Sequence, residues 1–209
     1  MKRIVCHCNF SLYSWITSCL FLFFLFFNVY NRGIDKEKRY VIVGSNRMKR
    51  IDKINYYLDL AETVLERSTC MRSKYGAVIV KNDEIIAIGY NGAPRGRKNC
   101  CEMGRCIREE LKIPRGERYE LCRSVHAEQN AIISAERTKM IDSTLYLVGR
   151  KSETKFYVEK PNPCSLCKRM IINAGIKDIY IRDSKEDYRH IDVSKYIEND
   201  ESLEGVLGY

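Results

Sequence analysis

This sequence predicts an α/β fold of three α/β/α layers, with helices covering both faces of a central mixed sheet. Two patterns carry that expectation. Apolar residues first recur at helical spacing and give way to a hairpin signal; the rest then alternates helix, strand, helix, strand.

Ile51, Ile54, Leu58, Ala61, Val64 and Leu65 share one helical face and predict a helix over about 52–67. Residues 76–80 and 84–90 are apolar runs flanking Lys81-Asn82-Asp83, a hairpin signal. Residues 91–122, rich in Gly, Pro, Arg and Cys, read as a long functional loop with room for one short helix. A helix over 126–137 and a strand over 144–148 follow. Pro163 is expected to open the next helix, where its missing N–H does no harm, and Gly175 to end it. Residues 178–181 predict a further strand, and 185–209 a polar C-terminal tail with at most a short helix.

With 209 residues, 45% of them hydrophobic and 30% charged, the chain can build one proper core. Its net charge of +9 raises the question of a polyanionic partner. Residues 1–47 hold 7 Lys/Arg against 2 Asp/Glu, leaving 29 against 25 for residues 48–209. That small excess suits an anionic metabolite, and no nucleic acid is expected.

Residues 1–47 form a leader unlike the remainder, with an uncharged apolar run over 10–30 that is long enough to cross a bilayer. Two readings stay open. The run is a membrane anchor, or residues 1–47 are an over-extended start ahead of Met48. A membrane partner is expected only on the first reading. Arg32, Lys36, Lys38 and Arg39 outnumber Lys2 and Arg3, so even an anchored chain would keep its main domain, 48–184, cytoplasmic.

Seven of the ten cysteines lie between Cys70 and Cys167, several beside a His and a Glu, which favours metal binding over a disulfide scaffold. His126-Ala127-Glu128 starts one expected helix and Pro163-Cys164-Ser165-Leu166-Cys167 another. His126, Cys164 and Cys167 would give zinc three protein ligands and leave one tetrahedral position open, as in catalytic sites. Helix N-termini favour thiolates. Glu128, two residues from the histidine, is placed to carry protons. The pairing of His-x-Glu with Pro-Cys-x-x-Cys is the signature of zinc-dependent nucleobase deaminases.

The surrounding residues resemble one family closely. Arg67-Ser68-Thr69-Cys70, Gly76-Ala77-Val78, the run from Gly89 to Gly96, and Val125 to Ile132 look like the deoxycytidylate deaminase family, nearest its bacterial branch with the late-competence operon proteins. The resemblance covers about residues 50–182. It implies the cytidine deaminase-like fold, conversion of dCMP to dUMP with release of ammonia, and a homo-oligomer. It also implies that Asn91 contacts the sugar, that Arg67 and Ser68 contact the phosphate, and that Ala77 lies beneath the base. Gly92 and Gly96 would allow close backbone approach or unusual dihedrals, and Arg72 and Arg95 are lesser phosphate candidates. Some relatives carry a second, structural zinc. Here Cys70, Cys106, Cys122 and one of Cys100 and Cys101 are its candidates, set against scattered free thiols.

Two other functions compete. One is a zinc deaminase of adenosine in tRNA, of guanine or of cytidine; the other is a competence-related nucleic-acid uptake or binding module. Gly89-Tyr90-Asn91-Gly92 and Asn130-Ala131-Ile132 favour dCMP over the first, and an intact Glu128 argues against the second.

Overall fold

The structure is a computed structural model and describes residues 50–199. In chain order its elements begin with α1 (Lys53–Leu65), β1 (Ser73–Lys81), β2 (Glu84–Tyr90), α2 (Cys100–Met103), α3 (Ile107–Glu110) and a 3-10 turn, Tyr119–Leu121. They continue with α4 (Ala127–Ile133), α5 (Arg137–Met140), β3 (Thr144–Lys151), α6 (Ser165–Ala174), β4 (Asp178–Arg182), β5 (Tyr188–Asp192) and α7 (Ser194–Glu198). The apolar leader lies outside the described residues. Among the described residues, no helix is long and apolar enough to cross a membrane.

The hairpin turns on Asn82 and Asp83, with φ of 51° and 64°. Two consecutive left-handed residues make the turn whose twist matches paired strands, and Asn and Asp tolerate that conformation best after glycine. β1 then pairs with β3 antiparallel, β3 with β4 parallel, and β4 with β5 antiparallel, giving a mixed sheet in the order β2-β1-β3-β4-β5. The parallel step needs a crossover, and α6 supplies it.

Strand alternation sends β1 side chains to two cores. Val78 and Val80, with Tyr146 and Val148 of β3, meet Tyr57, Leu58, Ala61 and Leu65 of α1. Ala77 and Ile79, with Leu145 and Leu147, meet Ala127 and Ala131 of α4 and Ile171 and Ala174 of α6 on the other face. These are the three expected layers. Two glycines let the helices come close. A Cβ on Gly76 would stand 2.1 Å from the Ala61 carbonyl, and one on Gly89 would stand 2.2 Å from that of Ala127.

The α1 face also carries a buried ion network. Arg182, 1% exposed, donates to Asp59 and Glu62 at 2.5 and 2.7 Å and to Asn55 Oδ1 at 2.9 Å. Glu62 in turn pairs with Arg150 and accepts from the Tyr157 hydroxyl.

Three local expectations differ from the structure. The helix expected over 126–137 is α4, capped at Ser134, with α5 as a separate turn. Ser134 directs its hydroxyl to the Asn130 carbonyl at 2.7 Å, a local bond that competes with helix continuation. Pro163 does not open α6: Cys164 is the N-cap, with φ −69° and ψ 168°, and the proline precedes it. Residues 188–192, expected in a polar tail, form the edge strand β5, while the short helix allowed there is α7. β5 pairs along its whole length with β4.

Candidate active site

Two helix starts meet at the end of the sheet. His126 caps α4, and its own N–H donates to Gln129 Oε1 at 2.9 Å. Val125 and Gly92 exchange backbone bonds of 2.8 and 3.2 Å, and Asn130 Nδ2 donates to the Tyr90 carbonyl at 2.7 Å. The start of α4 is therefore tied to the turn after β2. Gly92 makes this possible, because a Cβ there would press on Thr69 Oγ1 at 2.8 Å.

Cys164 and Cys167 come from the first turn of α6. Each sulfur lies 3.4 Å from His126 Nδ1, and the three ligand atoms all fall within 4.8 Å of one another. Bond lengths of about 2.0–2.1 Å to nitrogen and about 2.3 Å to sulfur in a tetrahedron separate N from S by roughly 3.6 Å, so the residues fit zinc. The charges agree. Burial works against a positive His126, yet the Cys122 and Cys164 sulfurs raise its pKa to about 10. The Cys167 bond draws Cys164 down to about 4 against burial, with help from His126, while Cys167 is pushed up. The two sulfurs thus share one proton, which a divalent cation would displace.

Glu128 stands in the first turn of α4, 5% exposed, with its carboxyl beside the Cys167 sulfur. Burial pushes its pKa above the ordinary carboxylate value, and the nearby His126 partly offsets this. A buried carboxyl whose pKa is raised in this way is suited to taking up and returning protons.

One cavity contains Glu128, His126, Cys164 and Asn91. Asn91 is 6% exposed and firmly held. Its Oδ1 accepts from Ser68 Oγ at 2.6 Å and from the Tyr75 amide at 2.7 Å, and its Nδ2 donates to the Ser73 carbonyl at 2.9 Å. The other expected contacts are placed differently. Arg67 is exposed just past the end of α1 and does not border the cavity; neither does Ser68, whose hydroxyl is spent on Asn91. Ala77 is fully buried in the α4-side core. Cys70, Cys100, Cys106 and Cys122 all border the cavity. Among the described residues, however, only His126, Cys164 and Cys167 close to metal-ligand spacing. Cys122 turns its sulfur toward His126, and this leaves the expected second metal set gathered but open.

Tyr75, Arg115, Tyr119 and Lys151 also border the cavity. The Tyr119 ring stands edge-on to His126, with centroids 5.0 Å apart. These residues come from separate segments, so no short motif announces them; the turn-like Pro114-Arg115-Gly116 is the nearest to a local sign.

Three ligands with an open position and a buried carboxylate beside them, on helix starts of an α/β/α fold, define a metal centre of catalytic type. The chain belongs to the family of the cytidine and deoxycytidylate deaminase zinc-binding region, which residues 51–182 match. It is 32% identical over 130 residues to the deoxycytidylate deaminase of Schizosaccharomyces pombe, covering 62% of this chain and 37% of that protein. With the deoxycytidylate deaminase of Mycobacterium phage D29 it shares 35% identity over 136 residues, covering 63% and 95%. With ComE operon protein 2 of Bacillus subtilis it shares 31% over 142 residues, covering 68% and 64%. This chain therefore spans little more than a third of the yeast relative's length.

Proposed function

We propose that this protein hydrolyses dCMP to dUMP and ammonia, with Glu128 as proton carrier. The observation that carries the reading is the buried Glu128 beside the open His126, Cys164 and Cys167 set, with Glu128, His126 and Cys164 bordering one cavity. Zinc bound there supplies a Lewis acid that brings the pKa of water toward neutrality. Glu128 takes a proton from the water that adds to C4 of the cytosine ring and delivers it to N3. It then moves the water's second proton to the amino group, the C4–N bond breaks, and ammonia leaves as the C4 carbonyl forms. Asn91 keeps one amide N–H uncommitted after its bond to Ser73, which supports a contact to the sugar. Ser68 acts through Asn91 by fixing its orientation.

The seven cysteines among the described residues are free thiols, which supports a reducing, cytoplasmic setting. Ile133 and Phe156 are 70% and 75% exposed, which supports association of this chain with its own copies. Ammonia release from dCMP, CMP, cytidine and dCTP tests the substrate. Zinc-loaded protein that fails to turn over dCMP would overturn the reading.

A further inference from the structure

The cavity has a charge pattern that the chemistry at Glu128 does not explain. Among the described residues, Arg72, Arg108, Arg115, Arg123 and Lys151 border it, against a single carboxylate, Glu128. Such a balance suits an anionic ligand. Most of these cations are already committed. Arg108 is 4% exposed and donates to the carbonyls of Pro114, Glu117 and Arg118. Arg72 pairs with Glu109 at 3.5 Å, and Arg123 donates to the Lys98 carbonyl.

Arg115 is different. Its two terminal nitrogens donate to consecutive carbonyls, Glu159 at 2.9 Å and Lys160 at 3.3 Å, in the loop that leads to Pro163 and Cys164. Those bonds fix the guanidinium plane and occupy two of its five N–H groups. No carboxylate pairs with it among the described residues. Its charge acts on both Tyr75 and Tyr119, the aromatic walls beside Glu128 and His126. Lys151 also borders the cavity, and its ammonium has no partner among the described residues. A held planar cation with N–H groups to spare, seconded by an ammonium, is suited to a phosphate.

We infer that Arg115, seconded by Lys151, holds the 5′-phosphate of the substrate and sets the preference for a nucleoside monophosphate over the nucleoside. The inference rests on the dCMP reading and departs from the phosphate role expected for Arg67 and Ser68. Arg67 is outside the cavity, and Ser68 is bonded to Asn91.

The test compares kcat/KM for dCMP and for deoxycytidine in the zinc-loaded full chain and in Arg115→Gln, Arg115→Lys, Lys151→Gln and Arg67→Gln. Calorimetric binding of both compounds is measured alongside. Arg115→Gln should lower kcat/KM for dCMP roughly 10- to 100-fold and that for deoxycytidine far less. Arg115→Lys should recover part of the difference, and Lys151→Gln should show a smaller loss of the same kind. Equal losses on both substrates would mean that Arg115 only straps the 159–160 loop, and would overturn the inference. So would an unchanged ratio in Arg115→Gln, or a ratio that collapses in Arg67→Gln instead. The two readings fail separately. Wild type that binds dCMP more tightly than deoxycytidine without releasing ammonia, with that difference lost in Arg115→Gln, removes the deaminase reading and keeps Arg115. Wild type that deaminates dCMP, with Arg115→Gln indifferent to the phosphate, does the reverse.

Discussion

The Ser68 hydroxyl donates to Asn91 Oδ1 at 2.6 Å, joining the chain just past α1 to the residue after β2 inside the active-site cavity. Ser68→Ala removes one of two bonds to that oxygen and leaves the Tyr75 amide to hold it. The expected cost is about 1 kcal/mol of stability, read by urea denaturation. KM for the nucleotide should rise severalfold as Asn91 loosens, with kcat changed little.

Glu128→Gln keeps the size of the side chain and removes its capacity to carry a proton. Zinc content measured by atomic spectroscopy should match wild type, because Glu128 is not among the three ligands. Ammonia release should fall by about 10²- to 10⁴-fold. Loss of zinc along with activity would contradict the role given to Glu128.

Removal of the metal should act on the site first. Cys167→Ala leaves one imidazole and one thiolate, too few to retain zinc under dialysis, and the protein should be inactive. Wild type stripped by a chelator should regain turnover on zinc addition, whereas Cys167→Ala should not.

Arg182→Met tests the network on the opposite face. It removes the buried guanidinium while Glu62 keeps Arg150 and Asp59 keeps Lys185, so the loss is that of charged hydrogen bonds, about 1.5–3 kcal/mol. The denaturation midpoint should drop, while turnover per folded molecule stays at the wild-type level.

The same network gives a pH dependence. Burial alone would raise the Asp59 pKa, but the bonds and charges of Arg182 and Lys185 outweigh it and hold the folded value below the ordinary 3.8. A carboxylate depressed on folding adds stability above its unfolded pKa, and that stability is lost as pH falls through the folded value. Asp59→Asn should therefore show a smaller loss of stability than wild type between pH 5 and strongly acidic pH, as read by thermal melts.

The parts of the molecule legible in the sequence are those whose physics is local. His126, Glu128, Cys164 and Cys167 sit within single helical turns, so ligand spacing and the helix starts could be read together. The Asn82-Asp83 turn carries its own conformational preference. β5 escaped notice because Tyr188-Arg189-His190-Ile191-Asp192 is an edge strand in which only Ile191 is aliphatic; its pairing depends on β4 being there. The end of α4 at Ser134 was hidden because Ala135, Glu136 and Arg137 beyond it are all good helix formers. The placement of Arg67 and Ser68 outside the cavity, and of Arg115 and Lys151 beside it, follows from how loops distant in sequence fold over the site. No spacing rule encodes that.

The central sheet separates two kinds of work. On one side, α4 and α6 present the candidate metal ligands and the proposed proton carrier; on the other, α1 is fastened by aromatic packing and by Arg182. The far face can therefore be tuned with little effect on the chemistry. Substitutions at exposed positions in the body of α1 offer a route to hardier forms of the protein at unchanged turnover. The exception is the short stretch after α1, where Ser68 reaches through to Asn91 and the two tasks share a residue.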